Sequence, residues 1–222
     1  MNRFLLSVAA TVAVAMSTSA FAADVGPAPF EWSGFYAGVS GGYGWGDANH
    51  TFSNGAPADN SKPQGWVGGA YLGYNFVPGS VLLGIEADGQ LSGMNGSFLN
   101  LSGITSQGST NINSEGDLRL RLGLPSGRLL PFVAGGLAVA NAQFDGGPAG
   151  GPICCGYSDT QWGWTLGGGV EYAVTNNLAA RIEYRYSDFG TASGNLAPTY
   201  PTVNMPVSLH TNEILAGLTL KF

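Results

Sequence analysis

The chain has 222 residues, a net charge of −6, a slightly positive mean hydropathy, only 10% charged residues and 36 glycines. Soluble domains carry about 25% charged residues and about 7% glycine, so both departures point toward a membrane protein. The acidity and the lack of any basic run exclude nucleic acid as a partner, because phosphate binding needs a basic stripe, and the glycines follow no three-residue period, which excludes a collagen-like chain.

The first elements in chain order read as an address. Met1-Asn2-Arg3 is a short positive region, residues 4–16 are apolar apart from Ser7 and Thr11, and Ala20-Phe21-Ala22 is a small-residue cleavage box. That order predicts a secretory signal peptide over residues 1–22, removed after Ala22. Residues 23–32 read as a periplasmic lead-in, and residues 33–222 as one barrel domain. No later apolar run approaches the ~20 residues that a membrane helix needs. An exported, charge-poor chain without spanning helices is left with a closed barrel, the other structure that satisfies every backbone group in lipid.

Eight segments alternate apolar and polar residues with period two, as strands between lipid and lumen must. They are residues 34–46, 65–76, 80–92, 114–124, 129–144, 161–174, 178–189 and 211–222. The fourth is the plainest: Leu118, Leu120, Leu122 and Leu124 alternate with Asp117, Arg119, Arg121 and Gly123. The fifth carries small apolar residues on both faces, and its parity stays open. Wherever parity is clear, the charges fall opposite the large apolar residues. A soluble sandwich would place such charges in water and carry more lysine, whereas this chain has Lys only at positions 62 and 221.

The connections alternate strictly. Residues 77–79, 125–128 and 175–177 are short and rich in Pro, Gly and Asn, the residues of tight turns. Residues 47–64, 93–113, 145–160 and 190–210 are long. Short periplasmic turns and longer external loops are the asymmetry of outer-membrane barrels. Aromatics gather near the strand ends, with Trp32 and Phe35, Tyr43 and Trp45, Trp66, Tyr74 and Phe76, Trp162 and Trp164, and Tyr184 and Tyr186 read as interfacial girdles. The expected fold is therefore an all-β, eight-stranded, antiparallel up-and-down transmembrane barrel in the outer membrane, with its lipids and lipopolysaccharide as surroundings.

Candidate chemistry is concentrated on the inward face. Glu86, Asp88, Asp117, Glu171, Glu183 and Glu213 face Arg119, Arg121, Arg181, Arg185 and Lys221, close to a balance of charge. An eight-stranded barrel is just wide enough for its own side chains to fill, and buried charges must be paired. These residues are read as a paired plug or, alternatively, as a gated ion path that would make the protein a small porin. His50 and His210 fall near the external ends of neighbouring first and last strands, where two imidazoles could hold a metal or haem in a surface ligand-binding protein. Cys154 and Cys155 are adjacent in an external segment, and an exported protein permits a disulfide between them. His210 with Ser208 has no spacing specific to a nucleophile and its base, so an enzyme is not expected. Gly41-Gly42-Tyr43-Gly44-Trp45-Gly46 lies inside a strand with no following helix, which excludes a dinucleotide loop. No cofactor is called for.

Several runs together resemble a known family. Trp32-Ser33-Gly34-Phe35-Tyr36-Ala37-Gly38 is followed by Gly41-Gly42-Tyr43-Gly44-Trp45-Gly46, then by Leu130-Pro131-Phe132-Val133-Ala134-Gly135-Gly136-Leu137-Ala138. Gly163-Trp164-Thr165-Leu166-Gly167-Gly168-Gly169-Val170-Glu171-Tyr172 and Ile182-Glu183-Tyr184-Arg185-Tyr186-Ser187-Asp188-Phe189-Gly190 complete the set. In these the chain resembles the RopB-type, opacity-like outer-membrane barrels of alphaproteobacteria, over its whole mature length. The resemblance implies an abundant outer-membrane protein with a structural or surface role, with porin or haem-binding activity in some similar proteins; a surface module that binds haem, a host surface or another ligand through the loops is a further alternative for this chain. The resemblance also implies that Leu220-Lys221-Phe222 is the C-terminal aromatic signal read by the barrel-insertion machinery.

Overall fold

The computed structural model describes residues 30–50, 59–100, 106–148, 155–196 and 200–222. The strands are β1 (Gly34–His50), β2 (Asp59–Ser61), β3 (Gln64–Phe76), β4 (Leu82–Asn100), β5 (Ser106–Gly123), β6 (Leu129–Pro148), β7 (Cys155–Ala173), β8 (Leu178–Leu196) and β9 (Tyr200–Lys221). Each is antiparallel to its neighbour, and β9 pairs back onto β1 from Tyr36↔Lys221 to His50↔Val207, which closes the barrel. β2 and β3 form one stave broken at Lys62-Pro63. Pro63 has no N–H for the ladder, and its carbonyl accepts from the Gly46 N–H at 2.8 Å. The barrel therefore has eight staves.

The short turns are where the sequence places them. Gly79 and Gly127 hold positive φ, at 85° and 60°. Thr175 Oγ1 accepts the Asn177 and Leu178 backbone N–H groups at 3.3 and 3.0 Å. The external ends differ in extent from the sequence reading. β1, β4, β6 and β8 run on to His50, Asn100, Pro148 and Leu196, well into the segments read as loops. The reason is physical. Above the membrane most outward residues are polar, as Asn95, Asn141, Gln143 and Asp188 are, so the lipid-facing signal stops while the hydrogen-bonded ladder continues.

In the membrane portion the outward residues are large and apolar. Phe35, Val39, Trp66, Leu72, Leu91, Leu118, Leu120, Leu122, Trp162, Leu166, Ile182 and Leu218 are all exposed on the isolated molecule. On β3 this band runs from Trp66 to Phe76, about 33 Å of strand and ~25 Å of height at a tilt near 40°, the thickness of an outer-membrane apolar belt. Tyr43, Trp45, Trp164 and Tyr184 lie at its external rim, and Phe35, Tyr74, Phe76 and Tyr172 at its periplasmic rim.

Inside, three layers fill the barrel. At the periplasmic mouth, Phe30 and Trp32 pack with Leu82, Leu130, Ala173 and Ala179. The Trp32 indole N–H donates to the Gly127 carbonyl at 3.1 Å, and its ring meets Phe30 edge-on at 4.5 Å. Trp32 thus belongs to a cap beneath the barrel, not to the girdle in which the sequence reading placed it. The middle layer holds the charges. The external layer is mostly apolar, with Ala48, Val67, Met94, Ile112, Ala138, Ala142, Phe144, Phe189, Val207, Leu209 and Leu215 in contact. The molecule is therefore inside-out within the membrane and ordinarily apolar-cored above it. Register shifts between Leu91 and Met94 on β4 and between Ile112 and Ser114 on β5 accompany the change. Across the β5 shift parity reverses, so even-numbered Ile112 and Thr110 point inward above odd-numbered Glu115 and Asp117.

The fifth segment of the sequence reading, β6, now has a parity. Leu130, Phe132, Ala134, Ala138, Ala140, Ala142 and Phe144 are buried, while Leu129, Val133 and Leu137 face lipid. Its inward face bears no charge, which is why composition alone left it ambiguous.

Candidate functional site

The middle layer of the lumen gathers most of the ionisable side chains. Period two puts Arg119 and Arg121 of β5, and Arg181, Glu183 and Arg185 of β8, on inward faces about 7 Å apart along each strand. β4 contributes Glu86, Asp88 and Gln90, β7 contributes Glu171, and β9 contributes Glu213. All of these are buried.

Two sublayers result, joined by Glu183. In the lower one Glu86 accepts from Arg119 at 2.6 Å, from Arg181 at 2.6 and 3.1 Å, and from the Tyr36 hydroxyl at 2.8 Å. Arg121 donates to Glu171 at 2.7 Å and to the Tyr36 oxygen at 2.8 Å. Arg181 also donates to Glu171 through Nε at 2.6 Å. Its guanidinium lies 4.2 Å from the Tyr71 ring centre, and that of Arg121 lies 4.3 Å from Phe132. Stacked and forked guanidiniums lose little rotamer freedom for each bond they form.

The upper sublayer is built on Arg185. Asp88 and Asp117 are direct cross-strand partners, a like-charge juxtaposition that is destabilising alone. Arg185 Nη1 reaches across the lumen between them, 3.0 Å from Asp88 and 2.8 Å from Asp117, and lies 3.8 Å from Glu213. Its Nε is 3.2 Å from Glu183, which also pairs with Arg119. Gln90 Nε2 donates to Glu115 at 3.0 Å and to Glu213 at 2.8 Å.

Inward glycines make the space. Tyr71 lies over Gly38 and Tyr36 over Gly73, each the direct partner of that glycine in the β1–β3 ladder. A Cβ at either glycine would collide with the facing ring.

The balance of charge differs from the sequence reading. Glu115 joins the layer, although only its place on the odd parity of β5 pointed to it. Lys221 stands apart, half-buried at the periplasmic mouth with its ammonium 5.8 Å from the Phe30 ring. The layer thus holds seven carboxylates, at Glu86, Asp88, Glu115, Asp117, Glu171, Glu183 and Glu213. It holds four guanidiniums, at Arg119, Arg121, Arg181 and Arg185.

These groups are buried and paired across the lumen. Between the cap and the charged layer lies a small cavity lined by Phe30, Trp32, Tyr36, Asn75, Glu171, Ala179, Thr219 and Lys221, with room for about one water molecule.

The two histidines do not meet. Although β1 and β9 are neighbours, His50 points into the barrel and His210 out of it. His50 is fully buried, with Nε2 3.2 Å from Ser61 Oγ and 3.3 Å from Thr110 Oγ1, and its ring 4.8 Å from Phe98. His210 Nδ1 is 3.2 Å from the Tyr186 hydroxyl and 3.4 Å from Asp188. The wall between them removes the joint metal or haem site. Among the described residues, no three His, Cys, Asp or Glu side chains are placed to hold a metal. Ser208 bonds Thr191 at 2.8 Å instead of His210. Cys154 lies outside the described residues. Phe222 is exposed at the periplasmic rim, its N–H donating to the Phe35 carbonyl at 3.0 Å.

Comparison with known proteins agrees with this architecture. Residues 7–222 match the family model described as outer membrane protein beta-barrel domain. The chain is 34% identical to the 31 kDa outer-membrane immunogenic protein of Brucella melitensis, over 96% of this chain and 98% of that protein. It is 30% identical to the 22 kDa outer membrane protein of Rhizobium leguminosarum bv. viciae, over 86% of this chain and 78% of that one. Among solved structures it resembles the outer membrane protein OprG of Pseudomonas aeruginosa, with a TM-score of 0.51 at 15% identity, covering 86% of this chain and 98% of that one.

Proposed function

Since the chain belongs to the outer-membrane β-barrel family and is an outer-membrane protein, we propose that it works as a closed, non-conducting barrel. In this role it strengthens the outer membrane and displays its external loops at the surface. One observation supports the reading: along the described lumen three layers of buried side chains follow one another, the Phe30–Trp32 cap, the paired charges and the mostly apolar external core. Every guanidinium in the middle layer holds at least one carboxylate, so an ion crossing it would have to break buried pairs. Such pairs are costly to break one partner at a time.

On this reading residues 1–22 direct export and are removed, residues 23–32 lead into the barrel and end in the cap, and residues 33–222 form the barrel. The exposed Phe222 ring is a handle for the insertion machinery. Deleting Phe222 is expected to lower the amount of assembled barrel in cells; undiminished assembly would remove that role.

The test of the closed lumen is single-channel recording of refolded protein in a planar bilayer, with folding checked by the heat-dependent gel shift. A folded, silent barrel is the expected result. Reproducible open steps that change with Arg119→Ala or Glu171→Ala would make the charged layer an ion path and overturn the proposal.

A further inference from the structure

Above the apolar belt the outer wall changes chemistry in an ordered way. Gln64 of β3 stands opposite Asn95 of β4, Asn95 opposite Asn111 of β5, Asn111 opposite Gln143 of β6, and Gln143 opposite Ser158 of β7. All five have the outward parity and are exposed or half-exposed. Direct antiparallel partners stand about 5 Å apart, so this is one unbroken arc ~20 Å long. A second row, Ser114, Asn141 and Thr160, runs beside it on the membrane side. Trp66 and Trp162, two residues farther down from Gln64 and Thr160, mark the belt's rim, and both are well exposed.

The arc is almost uncharged. On the external outward face of β2 to β7, Lys62 is the one cation among the described residues. Asp145 accepts from Gln143 Nε2 at 3.3 Å. The opposite arc differs, with Asp188, His210 and Asp47 in register across β8, β9 and β1. Phosphate recognition calls for Arg or Lys, which the amide arc lacks. A carboxamide donates and accepts from neighbouring atoms, and so matches sugar hydroxyls, which also do both. Two of the amides are already oriented along the wall, Asn95 by donating to the Gly93 carbonyl at 3.2 Å and Gln143 by its bond to Asp145. That orientation lowers the ordering cost of binding.

We propose that the arc binds the membrane-proximal sugars of the outer-leaflet glycolipid, the lipopolysaccharide whose acyl chains the belt directly below would contact. This rests on the outer-membrane placement above but not on whether the lumen conducts.

The test compares the parent with the triple variant Asn95→Ala, Asn111→Ala, Gln143→Ala. A Thr191→Ala, Ser208→Ala variant on the opposite arc serves as control. Each is refolded into phosphatidylcholine vesicles containing either lipopolysaccharide with its core sugars or lipid A alone, and the half-life of the folded gel band is read at one elevated temperature. The parent and the control are expected to last on the order of tenfold longer with core sugars than with lipid A, and the triple variant equally long in both. Equal lifetimes for the parent in the two vesicles would overturn the proposal. So would a triple variant that keeps the full gain, since the sugars would then bind elsewhere. If the parent yielded no folded band in any vesicle, membrane placement itself would fall, an outcome distinct from a folded parent indifferent to sugar.

Discussion

Arg185→Gln should be among the most damaging single changes in the lumen. Arg185 is the one ion-pair partner of Asp88 and of Asp117 among the described residues, and the one guanidinium near Glu213. Glu183 keeps Arg119 and Arg181 when Arg185 is lost. The substitution therefore leaves two carboxylates facing each other across the β4–β5 ladder in a buried layer, neither with an ion-pair partner among the described residues. Removing one partner of a buried pair costs about 3–5 kcal/mol, so about 4 kcal/mol is expected here. With a urea slope near 2 kcal/mol per molar, the unfolding midpoint in lipid vesicles should fall by about 2 M. Adding Asp88→Asn and Asp117→Asn to the same chain removes the orphaned charges and should restore at least ~2 kcal/mol, the size of coupling expected within one network. A single variant with a midpoint within about 0.3 M of the parent would refute the reasoning. A triple variant no more stable than the single one would do the same.

Other consequences are as open to measurement. Leu120 is 70% exposed on the belt while its neighbour Arg119 is buried in the charged layer; Leu120→Arg should cost about 2–4 kcal/mol of membrane stability and cut insertion yield into vesicles. Equal yields for variant and parent would mean that the faces are assigned wrongly. Gly42→Ala should destabilise by about 1–3 kcal/mol because its Cβ would collide with the Ile214 carbonyl, whereas Gly89→Ala meets nothing nearby and should stay within ~0.5 kcal/mol in urea titrations. Trp32→Ala should cost about 3 kcal/mol by emptying the periplasmic cap, yet produce no channel in bilayer recordings, because the charged layer above is untouched. Open steps in that variant would show that the cap alone seals the barrel.

What could be read from the chain follows from where lipid imposes a pattern. Leu118 to Leu122 of β5 and the β8 run of Arg181, Glu183 and Arg185 declare both faces, because charge in lipid is costly and no wide apolar face is needed inside. β6 withheld its parity because Phe132 covers guanidiniums with an aromatic face and no charge marks the lumen side. The external halves of the strands were read as loops because hydrocarbon no longer selects their outward residues. The inward Met94, Ile112, Val207 and Leu209 could have shown that strands continue there. The histidines mislead in another way. Neighbouring strands place His50 and His210 close in register, but a difference of one in parity puts a barrel wall between them. Glu115 was legible by position, while the arrangement of Arg185 between two opposed aspartates depends on a reach across the lumen that no local pattern records.

The length of the strands has a consequence for reach. β9 alone is 22 residues, about 73 Å of strand and ~55 Å of height at a tilt near 40°, against a belt of ~25 Å. Pairing with β1 reaches Val207, so the closed tube stands on the order of 10 Å proud of the hydrocarbon, and β9 continues above it paired with β8 alone. Its external strand tips are held above the lipid headgroups, as on a mast, where large molecules approaching the cell arrive first. Variation at those tips would alter what the cell presents to its surroundings without disturbing the membrane-embedded foot.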